Sequence, residues 1–462
     1  MRLLTSSFVV AALLAAAGSA AAQTPQSPRS ERPYRGLFGG DTGNAQELLT
    51  FSASFGGGYD DDIFAGDSGA GAPSQGNVPS TTFLTASADL GYSLVKSKVS
   101  FSANGGSGVG HYPGLNQPSL VHHNGGVSAS FQVAHHSRLN VSQSETYQPF
   151  YFWGFLPTGV AQVEAIPVFD PGTMTIADAV QAASLGLNQP AIADTVAGSN
   201  AEYYLDSSTY LGYSQGLTRN LTFDTSLSYT RSDSKSGTRD FKTQSATAGL
   251  SYALAKGLAL VFAYSYSDSE YPVAAGQFRS YQGHSINAGV NFNKALSFSR
   301  RTTLSFSTGT VAINDSVTTH YDIVGNVQLT HELGRSWSTG VGYYRSVSYV
   351  ETFVAPVLTD SASGSLDGLI SRAMQFQASV GLSRGNVGYG VASEFRSVYA
   401  STGLRYALTR NVALSTYYGY YHYDFDSGIV LPLGTPRNSN RQSISFSVEF
   451  WHPIIQRNRS KS

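Results

Sequence analysis

From Leu258 to Ser267 the chain reads LALVFAYSYS, and the alternation never breaks: Leu258, Leu260, Phe262, Tyr264 and Tyr266 share one parity, Ala259, Val261, Ala263, Ser265 and Ser267 the other. In an extended strand successive side chains point to opposite faces, so this segment has one wholly apolar face and one small, more polar face. Soluble strands usually end after about five or six residues. A tilted strand crossing a bilayer needs about ten. Lipid on one side and a wet interior on the other satisfy both faces. Ala255-Lys256-Gly257 before the segment reads as a tight turn, and Asp268-Ser269-Glu270 after it opens a longer polar loop.

The same unit recurs. Strand one carries Leu49, Phe51, Ala53 and Phe55; after a loop from Asp60 to Ser80, strand two carries Leu84, Ala86, Ala88, Leu90 and Tyr92. Short turns marked by a basic residue follow at Val95 to Lys98 and at Arg138, Arg219, Lys256, Arg300-Arg301, Arg335, Arg384 and Arg410. The period, roughly 35 to 45 residues, is that of a hairpin plus one long loop. A propeller blade has a similar period but divides it among four short strands, whereas Leu221 to Thr230 and Ser443 to Phe450 read as single long ones. The expected fold is all-β: a single closed antiparallel transmembrane β-barrel over residues 47–451. Eight pairs plus a first and a last strand predict about 18 strands. Sixteen is the alternative, because Val387 to Val391 makes a weak strand.

Composition agrees with that setting. Charged residues are 13% of the 462, against roughly a quarter in soluble proteins. A net charge of −1 gives a nucleic-acid partner no electrostatic support. Met1 to Ala22 has the Arg2, apolar core and Ala20-Ala21-Ala22 of a secretory signal peptide, cut near Ala22. Residues 23–46, rich in Pro, Ser and Gly, are expected to form a flexible periplasmic tail. No later stretch reaches about 18 apolar residues, so membrane insertion requires a closed barrel, which leaves no backbone unpaired in hydrocarbon. The absence of Cys excludes disulfides and a lipidated cysteine.

The last strand, RQSISFSVEFW, sends Ile444, Phe446, Val448 and Phe450 to one face. It resembles the aromatic-rich closing strand of bacterial outer-membrane barrels, the porin-like superfamily, and the likeness covers nearly all of the mature chain. In that family the aromatic commonly ends the chain; here His452 to Ser462 follow it as a C-terminal extension. The resemblance implies an outer-membrane location, surrounding lipid, recognition by the barrel assembly machinery and passive diffusion of small hydrophilic solutes. The stretch GGYDDDIF also resembles the start of strand one and its loop in outer-membrane barrels associated with exopolysaccharide clusters. That second likeness implies the alternative, a non-conducting barrel serving polysaccharide secretion or adhesion. Siderophore-type transporters carry a large plug before strand one, for which residues 23–46 are too short.

With the bulkier parity assigned to lipid, the interior receives mostly Ser, Thr, Gly, Asn and Gln, such as Ser285, Asn287, Asn291, Gln375, Gln377 and Ser379. Its charges are Asp89, Asp224, Asp322 and Glu449 against Arg405. Such groups either satisfy the wall's own hydrogen bonds or give a mild preference for neutral and cationic solutes. Tyr344, Tyr417, Tyr421 and Tyr423 share the inner parity, where aromatics either stack on sugars or belong to the interfacial girdle. Trp337 and Trp451 are girdle candidates beside the short turns. The longest loop, Gln148 to Ala201, holds a short helix capped by Thr175 and is, by position, similar to the third loop of general porins, which sets the bore. Its carboxylates Glu164, Asp170, Asp178 and Asp194 would then face the solute; the other reading is an extracellular hat.

No metal, cofactor or catalytic site is expected. Neighbouring strand residues diverge, so neither His122-His123 nor His135-His136 chelates alone, and both pairs are better read as loop or turn residues. Asp60-Asp61-Asp62 with Asp67 lacks the spacing of a dedicated Ca²⁺ loop and reads as a solvated acidic loop. Ser137 beside His136 cannot form a nucleophile and base pair, and no G-x-S-x-G elbow occurs. Oligomeric state has no signal in the sequence.

Overall fold

A computed structural model describes residues 36–39, 45–61, 81–113, 119–149, 203–234, 240–255, 258–274, 277–296, 299–314, 319–349, 356–388, 393–429 and 437–458. The strands are β1 Ala45–Asp60, β2 Thr81–Val95, β3 Val99–His111, β4 Ser119–Ala134, β5 Ser137–Pro149 and β6 Tyr203–Gly216. Then come β7 Leu221–Ser234, β8 Phe241–Ala255, β9 Leu258–Ala274, β10 Gln277–Leu296, β11 Ser299–Asn314 and β12 Thr319–Leu333. The last six are β13 Trp337–Tyr349, β14 Pro356–Leu369, β15 Met374–Val387, β16 Glu394–Ala407, β17 Val412–Phe425 and β18 Asn438–Asn458. Each pairs antiparallel with the next, and β1 pairs with both β2 and β18, so the 18 strands close on themselves. Closure removes every sheet edge. Among the described residues no helix is long and apolar enough to cross a membrane.

Alternation sets the two faces. Phe55 and Ile323 are 62% and 68% exposed, which only a lipid surface makes favourable at about 25 cal/mol per Å². Register carries the outward parity around the wall: Phe262 lies opposite Leu250 on one side and Ala288 on the other. At the long-loop end the same outer parity turns polar, with Arg345 and Asp360 at 3.2 Å and Glu394 held at 2.7 Å by both Arg384 and Arg396. That rim marks where the apolar band ends. At the other end the chain reverses tightly. The Thr218 hydroxyl accepts the amide of Leu221 at 3.1 Å and that of Thr409 accepts the amide of Val412 at 3.0 Å, so LTRNL and LTRNV are one turn used twice.

Several expectations are corrected. Sixteen strands is excluded: Val387 ends β15, and Gly388 takes φ 70° at once after it. Arg384 is not in a short turn but inside β15 at the long-loop end; the turn is 370–373 and carries Arg372. Residues 452–458 are not a separate extension, since β18 continues through them, pairing His452 with Phe51 and Arg457 with Glu47. Trp337 sits on the outer parity with its ring 6.0 Å from Phe376. Trp451 does not, because it lies opposite Ser52 and is buried on the inner side. His122 and His123 belong to β4, not to a loop, whereas His135 and His136 form the turn before β5.

The acidic stretch after strand one is not simply solvated either. Asp60 is 0% exposed at the end of β1 and accepts Arg441 of β18 in a forked pair, Nε at 3.1 and 3.0 Å and Nη2 at 2.5 Å. Arg457 meets Glu47 at 3.0 Å at the opposite end of the same strand pair. The first and last strands are thus bolted at both ends.

Candidate functional site

The residues expected on the inner wall share the parity opposite the exposed apolar side chains. Asp89 lies opposite Ser52 and Gly106, Asp224 opposite Ser214 and Gly249, and Asp322 opposite Val311. Tyr344 lies between Asn326 and Ser361, Tyr417 between Gly403 and Ser445, Tyr421 between Tyr399 and Arg441. Arg405 is flanked by Gln375 and Ser415, and Glu449 by Ala413 and Ser54. Asp89 does not project freely: the Cβ of an alanine at Gly106 would fall on its carboxylate, so the side chain lies flat across β3. Glycine at 106 is what makes that room.

Hydroxyls form the bulk of this wall. Ser54 meets Ser87 at 2.8 Å, Ser102 meets Ser128 at 2.6 Å, Ser228 meets Ser245 at 2.7 Å and Thr247 meets Ser265 at 2.9 Å. Ser361 with Ser383 and Ser379 with Ser401 repeat the motif at 2.9 and 2.7 Å. All are inner-parity residues directly opposite one another on adjacent strands. The alternation that puts Leu and Phe outside therefore puts a hydrogen-bonded hydroxyl layer inside.

Two clusters interrupt it. Toward the short turns, Arg405 meets Glu449 at 3.0 Å, both largely buried. The Ser415 hydroxyl donates to Glu449 as well, Arg405 donates to Gln375 Oε1 at 3.3 Å, and the Gln375 amide donates to Asp367 at 3.2 Å. The chain of contacts crosses β14 to β18. Higher up, β16 and β17 carry an aromatic column. The hydroxyls of Tyr399 and Tyr417 meet at 2.9 Å, and the Tyr421, Tyr423 and Phe425 rings follow at 6.2 and 5.2 Å, with Phe395 6.0 Å from Phe425. Tyr417 and Tyr421 are half-buried and retain open surface, whereas Tyr423, Phe425 and Phe395 are sealed. Tyr399, Phe395 and Phe425 were not anticipated, although parity with Arg405 and Tyr417 marks them as inward. Asp367 was missed for want of that same count.

Glu164, Asp170, Asp178 and Asp194, with the helix after Thr175, lie outside the described residues. Among the described residues no three His, Asp or Glu side chains gather as a metal-ligand set.

A closed barrel with an apolar outer band and a hydroxyl-lined inner wall is the architecture of a transmembrane β-barrel. No protein-family profile matches the chain, and no curated protein does. Its structural neighbours are outer-membrane β-barrel proteins. The FrpB iron transporter from Neisseria meningitidis is 7% identical, with 88% of this chain and 82% of that one aligned at a TM-score of 0.46. OpdQ from Pseudomonas aeruginosa is 11% identical over 90% and 100% of the two chains, at 0.42. OccAB4 from Acinetobacter baumannii is 11% identical over 89% and 99%, at 0.41. At such identities the likeness concerns fold alone.

Proposed function

We propose that this barrel is a channel for passive diffusion of small hydrophilic solutes, neutral or cationic, without covalent chemistry. The observation that carries the reading is the hydroxyl layer. Its pairs satisfy one another, so the wall wets readily, and a solute trades water for wall at a net of only about 1 kcal/mol per hydrogen bond. Weak contacts release as readily as they form, which is what conduction needs. Discrimination then falls to the bore and to the inner charges, among which Asp89, Asp224, Asp322, Asp367 and Glu449 outnumber Arg138 and Arg405, while Asp60 and Arg441 pair with each other. The part-exposed rings of Tyr344, Tyr417 and Tyr421 support sugars as one neutral solute class, since an aromatic face stacks on an apolar sugar face.

Purified protein in a planar bilayer is expected to give ohmic single-channel steps with a reversal potential on the cation side. Changing Asp224→Asn and Asp322→Asn together should move that potential toward zero while the steps persist. A bilayer that stays silent at saturating protein overturns the channel and leaves secretion or adhesion as the reading.

A further inference from the structure

Before β1, four described residues touch the barrel at three points. The Leu37 amide donates to the Arg372 carbonyl at 2.6 Å, in the turn between β14 and β15. The Gly39 amide donates to the Arg410 carbonyl at 3.1 Å, in the turn between β16 and β17. Between them, the Phe38 ring lies 5.7 Å from the guanidinium carbon of Arg405. Arg405 is an inner-parity residue, so the ring is carried over the rim and into the mouth. Gly39, at φ 66°, takes the left-handed conformation that few other residues adopt without strain.

We infer that residues 36–39 are a strap along the periplasmic mouth, and that Phe38, seated on Arg405, sets the bore and ion preference of that end. The inference rests on the channel reading above. Its electrostatic logic is direct. Arg405 is one cation of the inner wall at this end, where Arg138 shares the inner parity opposite Ser214, and it has Glu449 and, through Gln375, Asp367 beside it. A ring against a guanidinium is favourable and hides that cation from a passing anion. The opening is narrowed and one of its cations is covered. Two backbone hydrogen bonds and one ring contact are also few enough to release, so the strap is a restriction that can lift.

Phe38→Ala should raise single-channel conductance and shift the reversal potential toward anions, because it widens the mouth and uncovers Arg405. A second measurement does not depend on conduction. The chain has no cysteine, so Ala407→Cys, an inner-parity position beside the Arg410 turn that is 5% exposed with Phe38 seated, gives a lone thiol whose reaction with a maleimide reports opening of the mouth. Labelling should be faster when Phe38 is also alanine. If wild-type protein conducts and Phe38→Ala changes neither conductance nor ion preference, the strap is overturned and the channel stands. If neither protein conducts, the channel reading falls and labelling decides: a faster rate keeps the strap as cover over the mouth, and equal rates remove it.

Discussion

Arg441→Met should lower barrel stability by about 3–5 kcal/mol, the cost of stranding a buried charge. Asp60 is 0% exposed, so loss of Arg441 removes the cation that balances a carboxylate shielded from water. The geometry adds to the loss: three charge-assisted contacts between 2.5 and 3.1 Å come from one guanidinium fork. What they join matters equally. Asp60 and Arg441 are 381 residues apart, at the seam where the first strand meets the last. A weakened seam is a barrel prone to open. The measurement is the temperature at which the folded band of unboiled protein disappears on a gel. Asp60→Leu combined with Arg441→Met should recover most of the loss, because an apolar pair strands no charge. Arg457→Met is the control: its exposed pair with Glu47 should change stability by about 1 kcal/mol or less. A fall in Arg441→Met no larger than in that control would show the seam to be held by strand pairing alone.

The seam also shows where sequence reading reaches its limit. Alternation fixes which face a residue takes, because a one-residue slip would move every side chain to the other face. That is why Asp224, Arg405, Glu449 and Tyr417 could be placed on the inner parity from spacing alone. It does not fix height along the barrel or who sits across a closure. Asp60 reads as loop because two more aspartates and a polar stretch follow it, yet the partner that buries it lies at the far end of the chain. Arg384 misleads for a related reason. LSRGN has the small residues and the cation of a short turn, but here the cation belongs to the outer rim, shared with Arg396 around Glu394. Trp451 needed only the same count: it follows the outward Phe450, so plain alternation turns it inward opposite Ser52, before the register shift between Leu49 and Thr50 is reached.

The same limit separates the tyrosines, and Tyr423→Ala should reveal it. Tyr417, Tyr421 and Tyr423 share a parity and read as equivalent candidates for stacking on a solute. Burial divides them. Tyr423 is 0% exposed, wedged between the Tyr421 and Phe425 rings at 6.2 and 5.2 Å. No face is free for a sugar. Behind this group Phe395 lies flat over Gly385, where a Cβ would meet its ring at 2.7 Å, so the neighbours have little room to collapse into a void. Truncating a buried aromatic in such a setting costs about 3–5 kcal/mol. The folded band should therefore be lost at a clearly lower temperature, and conductance should rise, because the cluster fills part of the inner space under the long-loop end of β16 and β17. Tyr417→Ala should behave differently. Its ring is half-exposed, lies beside Gly419 and meets the Tyr399 hydroxyl at 2.9 Å through its own, so the stability loss should be clearly smaller than for the fully buried Tyr423. Its effect should appear instead as weaker block of the ion current by an added neutral oligosaccharide. Equal stability losses in the two variants would mean that Tyr423 packs no more tightly than Tyr417, and the column would then be one continuous stacking surface rather than a sealed upper half above an open lower one.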